Sequence, residues 1–378
     1  MSPQPAPDER RLAQRLDAEI AAARDPLGKA VLQVQRAVLD LRHGRQAQAR
    51  TQLDRLHAEL LRQPDLRLAG WLQLAEGQWI YFSSFGLEAR ERFLQALALS
   101  QSAADPELGA WAHVWLAQSA AVNRALDDVI RHAAHARQHW PALGTAVRFR
   151  LAGALGAAWT LAGEADAARD WDGLARQLAG QEGDDAGLAA VVFNQTLRRV
   201  ARLRRDALDG QPREAPGQLL GVDSVGHLDL IAGGSVRGDL TPLLRAQLLA
   251  LLGDWGGAAS LLEAQLPGAL AGGLRQVAPS LLAELAWCRA RLGEPAKARR
   301  VADWAASLAP VVTELGADGD ELVAMQQRLT QAYELLGDEH AAARHREALT
   351  QAEGLERHQH RQWSAALQAA GLRKPPPL

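Results

Sequence analysis

Cysteine is almost missing from this chain. Among 378 residues Cys288 is the single one, which excludes an intramolecular disulfide framework and any multi-cysteine metal site. Lysine is nearly as scarce, with Lys29, Lys297 and Lys374 the three among 42 cationic side chains. Cations are matched by 44 acidic residues, giving a net charge of −2 and no surplus to neutralise a phosphate backbone. A nucleic-acid partner is therefore not expected. Val, Ile, Thr, Tyr and Phe are too few for an extensive β-sheet. No stretch of 18 uninterrupted apolar residues occurs, so neither a spanning helix nor a membrane partner is expected. The opening Met1-Ser-Pro-Gln-Pro-Ala-Pro-Asp-Glu lacks the apolar core of a secretion signal, and the expected location is cytoplasmic. Phosphate-loop, dinucleotide-fold, zinc-protease and nucleophile-elbow motifs are all missing. The expectation is a protein with no catalytic residues and no cofactor.

What is abundant is Ala, 75 residues, and Leu, 62 residues. Both favour helix. They recur with a period. Turn anchors fall at Gly44, Ser84, Arg124, Gly163, Gly210, Gly253, Gly293 and Gly337. Five residues past them stand Ala49, Ala89, Val129, Ala168, Ala215, Ala258, Ala298 and Ala342. Seven residues before them stand Ala37, Gly77, Ala117, Gly156, Leu203, Ala246, Ala286 and Thr330. Small side chains in two columns let the helices of a hairpin approach closely, and a glycine in the turn ends the first helix. Leu53, Phe93, Ala133, Leu262 and Ala302, nine past their anchors, fill the space between hairpins.

The segments Trp159-Thr-Leu-Ala-Gly-Glu-Ala-Asp-Ala-Ala168, Leu249-Ala-Leu-Leu-Gly-Asp-Trp-Gly-Gly-Ala258, Cys288-Arg-Ala-Arg-Leu-Gly-Glu-Pro-Ala-Lys-Ala298 and Tyr333-Glu-Leu-Leu-Gly-Asp-Glu-His-Ala-Ala342 carry a family signature. They resemble the tetratricopeptide repeat, and Pro141 and Pro310 resemble its closing proline. The period here is near 40 rather than about 34, as in looser bacterial repeats. The resemblance implies an all-α, right-handed solenoid of about eight antiparallel hairpins. It implies a protein or peptide partner on the concave face and no catalysis. The alternative is a ligand- or peptide-responsive regulatory subunit of a bacterial signalling or transcription system. A homo-oligomer is a further possible association.

The expected organisation is a disordered start at 1–7, one continuous repeat array over 8–354, a C-terminal capping helix at 355–372 and a disordered tail at 373–378. Residues 205–241, with seven Gly, form an irregular, loop-rich repeat. An N-terminal helix is expected near residues 8–24.

Eleven Trp against two Tyr is the sharpest functional signal. At groove-facing positions that the resemblance implies, repeats two to four place Trp71, Gln78, Tyr81, Phe82, Trp111, Trp115, Gln118 and Arg150. Buried aromatic anchors dominate interface energetics. The competing reading makes these Trp the filling of the solenoid core. Asp128, His132, His135 and His139 share one stripe of a helix, spaced for a divalent metal. A solvated flank is the preferred reading, and no metal site is assigned. The five Arg of Arg198–Arg205 are read as a solvated helix face rather than a patch for phosphate or acidic peptide, and Cys288 as a buried apolar residue.

Overall fold

The computed structural model describes residues 11–84, 86–208, 240–271, 277–314 and 319–377. Among them are sixteen α-helices and no strand. In chain order these are α1 (Leu12–Ala22), α2 (Pro26–Arg42), α3 (Gln46–Arg62), α4 (Leu66–Ser84), α5 (Glu88–Ser102), α6 (Pro106–Val122), α7 (Leu126–Gln138) and α8 (Thr145–Leu161). There follow α9 (Ala165–Glu182), α10 (Asp185–Leu208), α11 (Leu240–Leu252), α12 (Trp255–Ala271), α13 (Ala278–Arg291), α14 (Pro295–Glu314), α15 (Gly319–Leu335) and α16 (Glu339–Ala369). The expected all-α fold of antiparallel hairpins is what these elements form. A 3-10 turn at Trp140–Ala142, carrying Pro141, closes α7. Of the irregular repeat, residues 209–239 lie outside the described residues, as do the anchor Gly210, Ala215 and residues 1–10. Helix α16 runs unbroken past residue 355, where a separate capping helix was expected.

The turn register has a direct physical basis. Gly44, Gly163, Gly253, Gly293 and Gly337 have φ of 76°, 70°, 87°, 73° and 70°, the left-handed region where a side chain is strained. Arg124 takes the same conformation at φ 56° without being glycine. At each of these turns the residue after the anchor donates its N–H back to a carbonyl five residues earlier, as Arg45 to Asp40, Ala125 to Ala120 and Glu164 to Trp159. That bond satisfies a carbonyl the helix end would leave unpaired. The following helix then starts at once, and its small residue packs inward. Ala49, Ala89, Val129, Ala258, Ala298 and Ala342 are fully buried. Opposite them Gly77 has no room for more: a Cβ there would lie 2.5 Å from the ring of Phe93.

The chain divides into two compact units. Among the described residues, the first takes those up to Val192 together with 363–377. In it α2, α4, α6 and α8 are the first helices of successive hairpins and pack side by side. Helices α3, α5, α7 and α9 are their partners. The C-terminal segment is part of this core. Trp363, Leu367 and Leu372 are buried in it, and the indoles of Trp159 and Trp171 both donate to the carbonyl of Leu372, at 2.9 and 3.1 Å.

The second unit takes, among the described residues, 193–208 and those from Leu240 to Gln362. Its first helices α11, α13 and α15 again contact in succession, with α12 and α14 paired to α11 and α13. Val200, on the second half of α10, joins Leu244, Leu248 and Leu251 in a smaller apolar cluster.

Candidate functional site

In the first unit, the side-by-side packing of α4, α6 and α8 assembles one polar-aromatic cluster. Gln118 on α6 donates its Nε2 to the Tyr81 hydroxyl on α4 at 3.0 Å. The ring of Tyr81 meets Trp115 edge-on at 5.3 Å, and Phe82 meets it edge-on at 5.6 Å. Arg150 on α8 lays its guanidinium 4.2 Å from the centre of the Trp115 ring. Such a stack is favourable, by about 0.5–2 kcal/mol according to desolvation.

Arg150 is electrically unusual. Burial, and then the charge of Arg42, bring its pKa down to about 10, against the pull of Tyr81 and Asp184. The nearby carboxylate is already engaged, because Arg42 Nη2 donates to both oxygens of Asp184 at 2.7 and 2.9 Å. Arg150 has no ion pair among the described residues, and its Nε is buried without a hydrogen-bond partner.

Of the eight expected groove residues, the structure brings Tyr81, Phe82, Trp115, Gln118 and Arg150 together. Phe82, Trp111, Gln118 and Arg150 are half-buried. Trp71, Gln78, Tyr81 and Trp115 are buried. The two Trp are corrected from surface anchors to core. Trp71 is 2% exposed and donates its indole N–H to Asp105 at the start of α6, at 3.0 Å. Trp115 is fully buried and stacks on Phe93 of α5 at 5.6 Å. Both point at the seam between neighbouring hairpins, which is where the largest side chains are needed.

Other expectations also change. His132 is buried, not on a solvated flank, whereas His135 and His139 are exposed. Asp128 is held by Arg90 and Arg131. The basic run is only partly a solvated face. Arg204 is buried and reaches Glu284 at 3.3 Å, and Arg205 bridges Asp320 and Glu356. His360 lies 3.8 Å from Asp320, so Asp320, Glu356 and His360 form a metal-like triad, but Arg205 already neutralises its carboxylates. Cys288 is fully buried, and burial followed by the Glu284 charge push its thiol up, far from a nucleophile.

The second unit has a pocket that the sequence reading did not find. Its volume is about 390 Å³, and Trp287, Arg291, Arg328, Gln331 and Glu334 contribute its polar and aromatic lining. Arg328 stacks 3.9 Å from the centre of the Trp287 ring and holds the fully buried Glu284 at 2.9 Å. Burial opposes ionisation of Glu284, yet Arg328 and Arg204 outweigh it and keep its pKa low. Arg291 stacks 4.2 Å from the centre of the Trp255 ring. One signal was available: Glu284 interrupts an otherwise apolar stretch of α13.

No family model matches this chain, and no curated protein matches it. Among solved structures it is similar to a Rap protein complexed with competence and sporulation factor. The identity is 12%, the TM-score is 0.58, and the match covers 88% of this chain and all of that one. The likeness is one of fold, and it agrees with the helical-hairpin repeat read from the sequence.

Proposed function

We propose that this chain is a non-catalytic adaptor that binds a peptide, or an extended segment of a protein, on the first-helix face of its first unit. The observation that carries the reading is Arg150. It is a guanidinium set on an aromatic floor, next to a hydroxyl–amide pair, with its neighbouring carboxylate taken by Arg42. A carboxylate from outside satisfies it at no cost to an existing ion pair, since charge-assisted hydrogen bonds to Arg are strong. Half-buried Phe82 supplies apolar contact beside it, and Gln118 supplies an amide. The ligand class is therefore a peptide with an acidic side chain or terminus flanked by apolar residues. The similar fold of a Rap protein, solved in complex with a factor, supports a receptor role for such helical repeats.

The pocket in the second unit favours one additional role, that of a regulatory subunit whose partner binding responds to a small ligand. Its stacked Arg328 and Arg291 suit an anionic one.

Selection from a random peptide library on the wild-type chain tests the main reading. Enriched peptides are expected to share an acidic residue near apolar ones. Arg150→Ala is expected to weaken their binding at least about tenfold, a loss of 1.4 kcal/mol or more. Failure to enrich any peptide, or equal binding by a folded Arg150→Ala variant, overturns it.

A further inference from the structure

In three of the described hairpins a polar pair meets at one shared register. Eleven residues before a turn anchor and eight residues after it, two side chains meet across the hairpin. In the α4–α5 hairpin these are Gln73 and Arg92, with Arg92 donating to the amide oxygen at 2.9 Å. In the α15–α16 hairpin they are Gln326 and His345, 2.7 Å apart. Each time an acceptor faces a possible donor. In the α6–α7 hairpin the same two positions hold His113 and His132, with their Nδ1 atoms 3.0 Å apart.

Two imidazoles are a poor substitute for that complementary pair. When both are neutral, one Nδ1 carries the proton and the other accepts it. A second proton sets N–H against N–H. His132 is buried, and its Nε2 has no hydrogen-bond partner among the described residues, so its one polar contact is this Nδ1. Two more imidazoles adjoin. The ring of His135 stacks on His113 with centres 3.9 Å apart, and His139 follows at 4.8 Å from His135. Asp128, the acid on this stripe, is engaged by Arg90 and Arg131.

We infer that His113 and His132 form a binding site for a borderline divalent transition-metal ion such as Zn²⁺, Ni²⁺ or Cu²⁺, coordinated through their facing Nδ1 atoms. The distance fits. Nitrogen ligands at 2.0–2.1 Å from an ion stand about 3.0 Å apart in octahedral geometry and about 3.3 Å apart in tetrahedral geometry. The chemistry fits as well, because neutral imidazole suits these ions and a carboxylate-poor site disfavours Mg²⁺ and Ca²⁺. Burial keeps both rings neutral, with pKa values lowered to about 4, so neither must lose a proton at neutral pH. Exposed His135 supplies a third ligand by side-chain rotation, and the solvent beside it supplies an entry path and water ligands. The ion would tie the first helix of a hairpin to its second.

The test uses the untagged full chain, ¹⁵N-labelled at histidine, titrated with ZnCl₂ at pH 7.5. Two Nδ1 resonances are expected to shift together and saturate at a single site. Co²⁺ in place of Zn²⁺ is expected to give d–d absorption. His113→Ala and His132→Ala are each expected to weaken binding by at least about tenfold, whereas His340→Ala on α16 leaves it unchanged. Equal binding by wild type and the folded double variant contradicts the site. So does a Zn²⁺-induced shift confined to Nε2 of His135 and His139. The resonance experiment needs no variant, so it decides the matter even where a substitution prevents folding.

Discussion

Arg124 shows how a single residue can depart from the rule that shaped the rest. Its anchor position is glycine at five other described turns, and it shares their left-handed backbone. A side chain in that region costs about 1 kcal/mol or more, which glycine avoids at some cost in unfolded-state entropy. Arg124→Gly is expected to raise stability by about 0.5–1 kcal/mol, read as a higher midpoint in urea. An unchanged or lower midpoint would mean that the Arg124 guanidinium, bonded to the Val122 carbonyl at 2.7 Å, outweighs the strain. Trp71 makes the complementary case. Its ring is core, and its N–H serves Asp105. Trp71→Phe is expected to cost about 1–3 kcal/mol, from the lost hydrogen bond and the smaller ring. A cost near zero in thermal melts contradicts the assignment. The sequence showed that the Trp matter but not which way they point. Direction depends on how far apart neighbouring first helices stand, and a longer period changes that spacing.

At the scale of elements, the turns were legible because glycine carries a conformational meaning, and the two small-residue columns because packing needs them. A third column went unread. Asp25, Asp65, Asp105 and Asp184 each accept from backbone N–H groups at the start of a first helix. The first three stand forty residues apart, and in Asp25-Pro26 and Asp105-Pro106 a proline follows, a helix-start signal that was present in the sequence. These caps predict a pH dependence. Burial opposes ionisation of Asp105, but the Leu108 N–H, Arg67 and Trp71 lower its pKa below the ordinary value. Burial likewise opposes Asp184, and Arg42 with the Gly187 N–H lowers it. A carboxylate with a depressed folded-state pKa stabilises the fold fully above its unfolded value near 4, and that contribution is lost as pH falls through the folded value. Stability is therefore expected to fall steeply below about pH 4, and Asp184→Asn is expected to flatten that fall while lowering stability at pH 7. Parallel curves for variant and wild type between pH 7 and 2.5 contradict this.

At the scale of the molecule, the period and the all-α class came from the sequence, whereas two long-range features did not. The C-terminal segment carries no repeat signature, yet its Leu372 carbonyl receives two indole N–H groups from residues over 200 positions earlier. Periodicity reports contacts between neighbouring repeats and is silent on a terminus that returns. Removing 363–378 is expected to expose Trp159 and Trp171 and to lower the melting temperature. An unchanged melt and unshifted Trp fluorescence would contradict that. His113 was missed for a similar reason, since a stripe along α7 says nothing of what α6 sets against it. The central claim concerns the first-helix face of the first unit. Hydrogen exchange of the chain, with and without a library-selected peptide, tests it most directly. Added protection is predicted in segments covering the C-terminal half of α4, α6 and the first turns of α8, and none in Arg150→Ala. Protection confined to α5, α7 and α9, or to the second unit, would contradict it.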